Sequence, residues 1–76
     1  MNHELDVSGM KCPLPLMKAK RKLAGIPGGD TLLVTATDPQ SIDDFERFCD
    51  GHFCTILDLK KDSGKFIFSL RREVSL

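Results

Sequence analysis

Apolar and polar positions alternate along this chain at two different periods, and the changes of period mark six elements. Leu5 and Val7 alternate with Glu4, Asp6 and Ser8, which predicts a strand over residues 3–8. Leu16, Ala19 and Leu23 recur at helical spacing, with Met17 and Ala24 at the edge of that face and Lys18, Arg21 and Lys22 opposite. This predicts a helix over residues 13–24, stopped by Ile26-Pro27-Gly28-Gly29-Asp30. Lys20 falls inside the apolar arc. It reads either as a lysine snorkelling from the helix edge or as a cation at the rim of a docking face. Alternation returns over residues 31–37, with Leu32, Val34 and Ala36 on one face and Thr31, Leu33, Thr35 and Thr37 on the other.

Asp38-Pro39 ends that strand and opens a second helix. Asp38 is the natural cap and Ser41 an alternative, with Ser41-x-x-Asp44 a weak capping-box match. Ile42, Phe45, Phe48 and Cys49 form the apolar stripe, and Asp43, Asp44, Glu46 and Asp50 the solvated face. A third strand is predicted over residues 53–60, a hairpin turn at Asp62-Ser63-Gly64 and a fourth strand over residues 65–72. In the last, Phe66, Phe68 and Leu70 point toward the helices, and the tail 73–76 frays. The order β-α-β-α-β-β gives an α/β two-layer sandwich: a four-stranded mixed sheet with two helices on one face. Right-handed crossovers make strands one to three run mostly parallel, and the hairpin makes strand four antiparallel.

Seventy-six residues make a single domain, 1–76, with a modest core, so a surface site is expected rather than a buried one. Eleven basic groups balance eleven acidic ones, which gives no general pull toward nucleic acid. The distribution is uneven: residues 38–59 hold six acidic groups against one basic, whereas residues 1–37 hold five basic against three acidic. The first helix is thus a basic surface and the second an acidic one. His3, Glu4 and Asp6 interrupt any apolar leader, and no stretch approaches a membrane span. Three cysteines without a secretory leader argue for a reducing cytoplasm and against a disulfide framework. Cys49 reads as a core thiol, while Cys54 reads equally well as buried or partly exposed. A Cys49–Cys54 bridge or metal pair would need help from Cys12 or His52, and the spacing matches no common zinc site. His3 and His52 are lone histidines. No metal, cofactor or phosphate loop is expected.

The candidate chemistry lies at Met10-Lys11-Cys12-Pro13-Leu14-Pro15. Pro13 and Pro15 lack an N–H, which costs nothing in a first helical turn, where those groups have no intrahelical partner. Cys12 therefore sits at or beside a helix N-cap, delivered by a loop that turns at Gly9. Cysteine is a poor cap, so its presence there points to thiol chemistry. A free thiol has a pKa of about 8.5, and a helix N-terminus contributes roughly 0.3–1 kcal/mol toward the thiolate. With Lys11 adjacent and Leu14 N–H the one donor left in the first three helical positions, moderate activation is expected.

Leu5-Asp6, Gly9 and Cys12-Pro13-Leu14-Pro15, followed by Ala36-Thr37-Asp38-Pro39, Asp44-Phe45 and Phe48-Cys49, resemble the TusA/SirA (YhhP-like) sulfur-carrier family over about residues 4–72. The resemblance implies a sulfurtransferase working as a carrier component, with a persulfide on Cys12. A cysteine desulfurase or rhodanese-like protein would be the donor and another protein the acceptor, in tRNA thiolation, molybdenum-cofactor sulfuration or sulfur oxidation. Gly9, Pro13 and Pro15 would shape the site. Lys11, Lys18, Lys20, Arg21 and Lys22 would meet partners, and no direct nucleic-acid or membrane contact and a monomeric free state are expected. No second cysteine adjoins Cys12, which suits a relay rather than a Cys-x-x-Cys reductase. The reading from a different class is a non-enzymatic regulatory or RNA-binding module, in which the prolines only shape the helix start and the basic helix face carries binding.

Overall fold

The computed structural model describes residues 2–11, 14–49 and 53–73. The elements are β1 (Asn2–Val7), α1 (Leu14–Ala24), β2 (Thr31–Ala36), α2 (Gln40–Phe48), β3 (Cys54–Asp62) and β4 (Lys65–Arg72). They form the expected α/β fold, with one four-stranded mixed sheet in the order β1-β2-β4-β3. β1 pairs parallel with β2, and β4 lies antiparallel to both β2 and β3. The three leading strands therefore share a direction, as right-handed crossovers require, and β4 is inserted between β2 and β3.

The core is the helix-facing side of the sheet. Leu32 stands beside Leu70, Val34 beside Phe68 and Val7 beside Ala36, all fully buried. Ala19 and Leu23 of α1 and Phe45 of α2 close over them, with the Phe45 and Phe68 rings 4.6 Å apart. Period two in the strands and period 3.6 in the helices thus meet in one layer of side chains.

Several local expectations need correction. Ser8 and Thr37 lie outside their strands: the chain turns at Ser8-Gly9, and the Thr37 hydroxyl is used by the loop described below. The buried row of α1 is Pro15, Ala19 and Leu23, with Leu16 only partly covered and Met17 and Ala24 exposed. Pro15, with no N–H to satisfy, packs inward at the helix start. The N-cap residue of α2 is Pro39, which has no side-chain cap bond; Asp38 lies one residue earlier, where its Oδ1 accepts the Gln40 N–H at 3.1 Å. Ser41 is not a cap. It lies inside the first turn, 1% exposed, and its hydroxyl finds no partner among the described residues. β3 runs two residues longer than its pattern suggested, to Asp62, with Leu57 bulged out between Ile56 and Asp58 and half exposed. Ser63 and Gly64 both take positive φ, 50° and 80°, the geometry of a tight turn that continues the twist of the hairpin.

The largest correction concerns the cysteines. Cys49 and Cys54 form a disulfide, not a core thiol and a neighbour. The chain leaves helical geometry at Cys49, which takes φ −90° and ψ 79° after Phe48. It returns as β3 with its first residue, Cys54, only 4.8 Å from Cys49 between Cα atoms. That separation falls within the range a disulfide needs without any third group. The same corner is held by the Phe48 and Phe53 rings, 5.5 Å apart, and by Arg72, whose guanidinium lies over Phe53 and donates to the Ile26 carbonyl. Asp50, His52 and the tail beyond Glu73 lie outside the described residues. No helix among the described residues is long and apolar enough to cross a membrane.

Candidate functional site

The loop between β1 and α1 is fixed by four hydrogen bonds of different kinds. Ser8 N–H donates to Asp6 Oδ1 at 2.9 Å, and Met10 N–H to the Val7 carbonyl at 3.2 Å. Gly9 N–H donates to Thr37 Oγ1 at 2.8 Å, tying the loop to the end of β2. Leu14 N–H donates to the Lys11 carbonyl at 2.9 Å. Gly9 adopts φ +81° with open space where a Cβ would stand, so the backbone angle rather than crowding selects glycine. Hydrogen bonds from Ser8, its hydroxyl foremost, hold the Asp6 carboxyl below its ordinary pKa, so the turn keeps a charged acceptor.

Cys12 and Pro13 lie outside the described residues. The groups on either side of them are described and change one expectation. Leu14 N–H, the donor expected to remain for the thiol, is already engaged by Lys11. Any activation of a thiol at this point falls to the helix macrodipole and to the exposed Lys11 ammonium.

Beyond the loop, α1 presents an apolar pair and three cations. Leu14 is 48% exposed and Met17 57%, large apolar side chains on the turns that follow the cysteine. The helical wheel places Leu14, Met17 and Arg21 on one line, away from the buried Pro15-Ala19-Leu23 row, so Met17 belongs to the exposed face and not to the edge of the core. Lys18, Arg21 and Lys22 line one wall of a surface groove of about 530 Å³, with His3 and Leu5 of β1 and Ile26. Lys20 points elsewhere: its Nζ stands 5.0 Å from the centre of the Phe48 ring of α2. The structure thus brings Lys18, Arg21 and Lys22 together and separates Lys20 from them, while Lys11 stays on the loop. Among the described residues no cluster of three His, Cys, Asp or Glu side chains could hold a metal.

Comparison with known proteins decides the family. The sequence model described as sulfurtransferase TusA matches residues 3–72. The chain belongs to the TusA family. It is 39% identical over 71 residues to the sulfur carrier protein TusA of Allochromatium vinosum, covering 93% of each chain. It is 48% identical over 67 residues to a putative sulfur carrier protein of Neisseria meningitidis, covering 87% of this chain and 90% of the other. The TusA protein of Pseudomonas putida is 34% identical over 71 residues, covering 91% and 86%. In this TusA-family chain the matched region takes in the whole sheet but for Asn2 at its start, the Gly9 loop and the whole of α1.

Proposed function

We propose that this protein is a sulfur carrier that relays sulfane sulfur on Cys12 between two protein partners. The observation that supports the reading is what flanks the Cys-Pro-x-Pro segment in the chain. That segment joins a loop pinned to β2 through Gly9 and Thr37 to the first turn of α1. Membership of a family whose relatives are named sulfur carriers supports it. In the first step the Cys12 thiolate attacks the outer sulfur of a donor persulfide. A new S–S bond forms on Cys12, the donor S–S bond breaks, and the donor leaves as its thiolate. In the second step an acceptor thiolate attacks the outer sulfur of Cys12–S–S⁻, and Cys12 leaves as thiolate. No net oxidation occurs. A moderate thiol pKa serves both halves, because the group must first attack and then depart.

The donor fits the chemistry of a cysteine desulfurase or rhodanese-like protein. The acceptor would serve tRNA thiolation, molybdenum-cofactor sulfuration or sulfur oxidation. The reading implies a monomer acting in the cytoplasm, with no cofactor of its own. Gly9, Pro13 and Pro15 shape the site, and Lys11, Lys18, Lys20, Arg21 and Lys22 meet the partners. The test is intact-mass analysis after incubation with a cysteine desulfurase and cysteine. A gain of about 32 Da is expected, absent in Cys12→Ser and retained in Cys49→Ser. Loading that persists without Cys12 refutes the proposal.

A further inference from the structure

The groove between α1 and β1 gathers three of the cations proposed to meet partners and sets them beside a strand edge. One wall carries Lys18, Arg21 and Lys22, spaced i, i+3 and i+4 so that they share a helix face. None of the three forms an ion pair among the described residues. The other wall is β1, the terminal strand of the sheet, with a free edge. In a parallel pair every second residue of an edge strand turns its N–H and C=O away from its neighbour. Leu5 and Ile26 give the groove an apolar lining. His3, on the β1 wall, is tied to Asp30, its Nε2 3.0 Å from Oδ2.

We infer that this groove receives an acidic extended segment of a partner protein, laid along β1 with its carboxylates toward Lys18, Arg21 and Lys22. The inference rests on the carrier reading only in supposing that the partner is a protein. Charge complementarity selects an acidic segment. The apolar lining takes an aliphatic side chain of that segment, and the free strand edge offers it main-chain partners. A nucleic acid is disfavoured at the same place. Glu4 and Asp6 are exposed along the same edge on the opposite face of the sheet, where they oppose a phosphate backbone. A peptide strand alternates its two faces and meets cations on one side only.

The probe is a fluorescent synthetic peptide of Glu-Ser-Leu-Ser repeats, which puts Glu and Leu on the same strand face, titrated against the full chain by anisotropy. Amide spectra of residues 2–7 are followed in parallel. Saturable binding is expected, with perturbation of the β1 amides. Affinity should fall at least about tenfold in the double variant Lys18→Glu/Lys22→Glu, in which two attractions across the groove become repulsions. The milder Lys18→Gln/Lys22→Gln should lose less. Lys61→Glu, exposed on β3, should bind as the parent does. No saturable binding, equal loss in Lys61→Glu, or tighter binding of oligouridylate or of a Lys-Leu peptide at the same amides overturns the inference. Sulfur loading of Cys12 is measured by mass on the same samples. Its failure would sink the carrier reading while leaving the groove result standing, and the reverse outcome would sink the groove alone.

Discussion

Reducing the Cys49–Cys54 disulfide should destabilise this fold by about 2 kcal/mol. The cross-link closes a loop with a sequence separation of 5. The chain-entropy relation for a loop of that size, about 6 residues counted inclusively, gives roughly 7 cal/mol/K, or about 2 kcal/mol at 25 °C. A domain of this length has about 4–11 kcal/mol in total, so the loss is a large share. Packing adds little to the figure, because Cys54 stays buried as a thiol and the Phe48–Phe53 contact survives. With a urea m-value of about 1 kcal/mol/M, the midpoint should fall by about 2 M. The assay is urea unfolding of the unloaded protein, oxidised and after phosphine treatment. Mass spectrometry confirms the gain of two hydrogens, and Cys49→Ala should match the reduced form. Coincident curves for oxidised and reduced protein would refute the reasoning. A fall much larger than 3 M would show that the bridge holds up more than its own corner.

Two further outcomes follow from the loop that carries Cys12. Gly9→Ala should cost about 1–2 kcal/mol, since φ +81° is a left-handed angle that penalises any Cβ even in open space, and a thermal melt within 2 °C of the parent would contradict this. Asp6, whose carboxyl is held below its ordinary 3.8 by Ser8, contributes stability that is fully present above that value and is lost as pH falls through the lower folded-state value. The stability gap between the parent and Asp6→Asn should therefore be constant above the ordinary carboxylate range and shrink as pH falls below 3.8, as urea midpoints on both sides of that value would show.

The residues that were legible in the sequence are those where local pattern and tertiary demand coincide. β4 was read to its ends because Gly64 bounds it, the apolar alternation is regular and both neighbours bury the same face. The two helices were placed by their prolines and by Asp38. Strand order was not legible. Alternation fixes which face of a strand is buried and leaves open which strands stand beside it. The disulfide is not legible in the spacing of Cys49 and Cys54, since a separation of 5 inside a continued helix would hold the two apart. What mattered was that the chain stops being helical at Cys49 and brings Cys54 back beside it. The groove was missed because a helical wheel shows Lys18, Arg21 and Lys22 as a solvated face and cannot show that an edge strand stands beside them.

The positions of the two sulfur centres bear on how a carrier avoids consuming its own cargo. α1 begins at Leu14, beside the loop tied to the end of β2, and its eleven residues rise about 16 Å along the axis. The far end of α1 is where Arg72 donates to the Ala24 and Ile26 carbonyls. Cys54 pairs in register with that same Arg72, so the disulfide belongs to the far end of the helix. The bridged pair offers no free thiol to the Leu14 end of α1: both sulfurs are joined to each other, about a helix length from Leu14. Cys54 is fully buried, so an incoming thiolate can reach the bridge only through the half-buried Cys49 and must expel a thiolate into the core. Burial disfavours that charged leaving group. With Cys12 as the proposed carrier, Cys49 and Cys54 offer its sulfur no free thiol, because each is bound to the other.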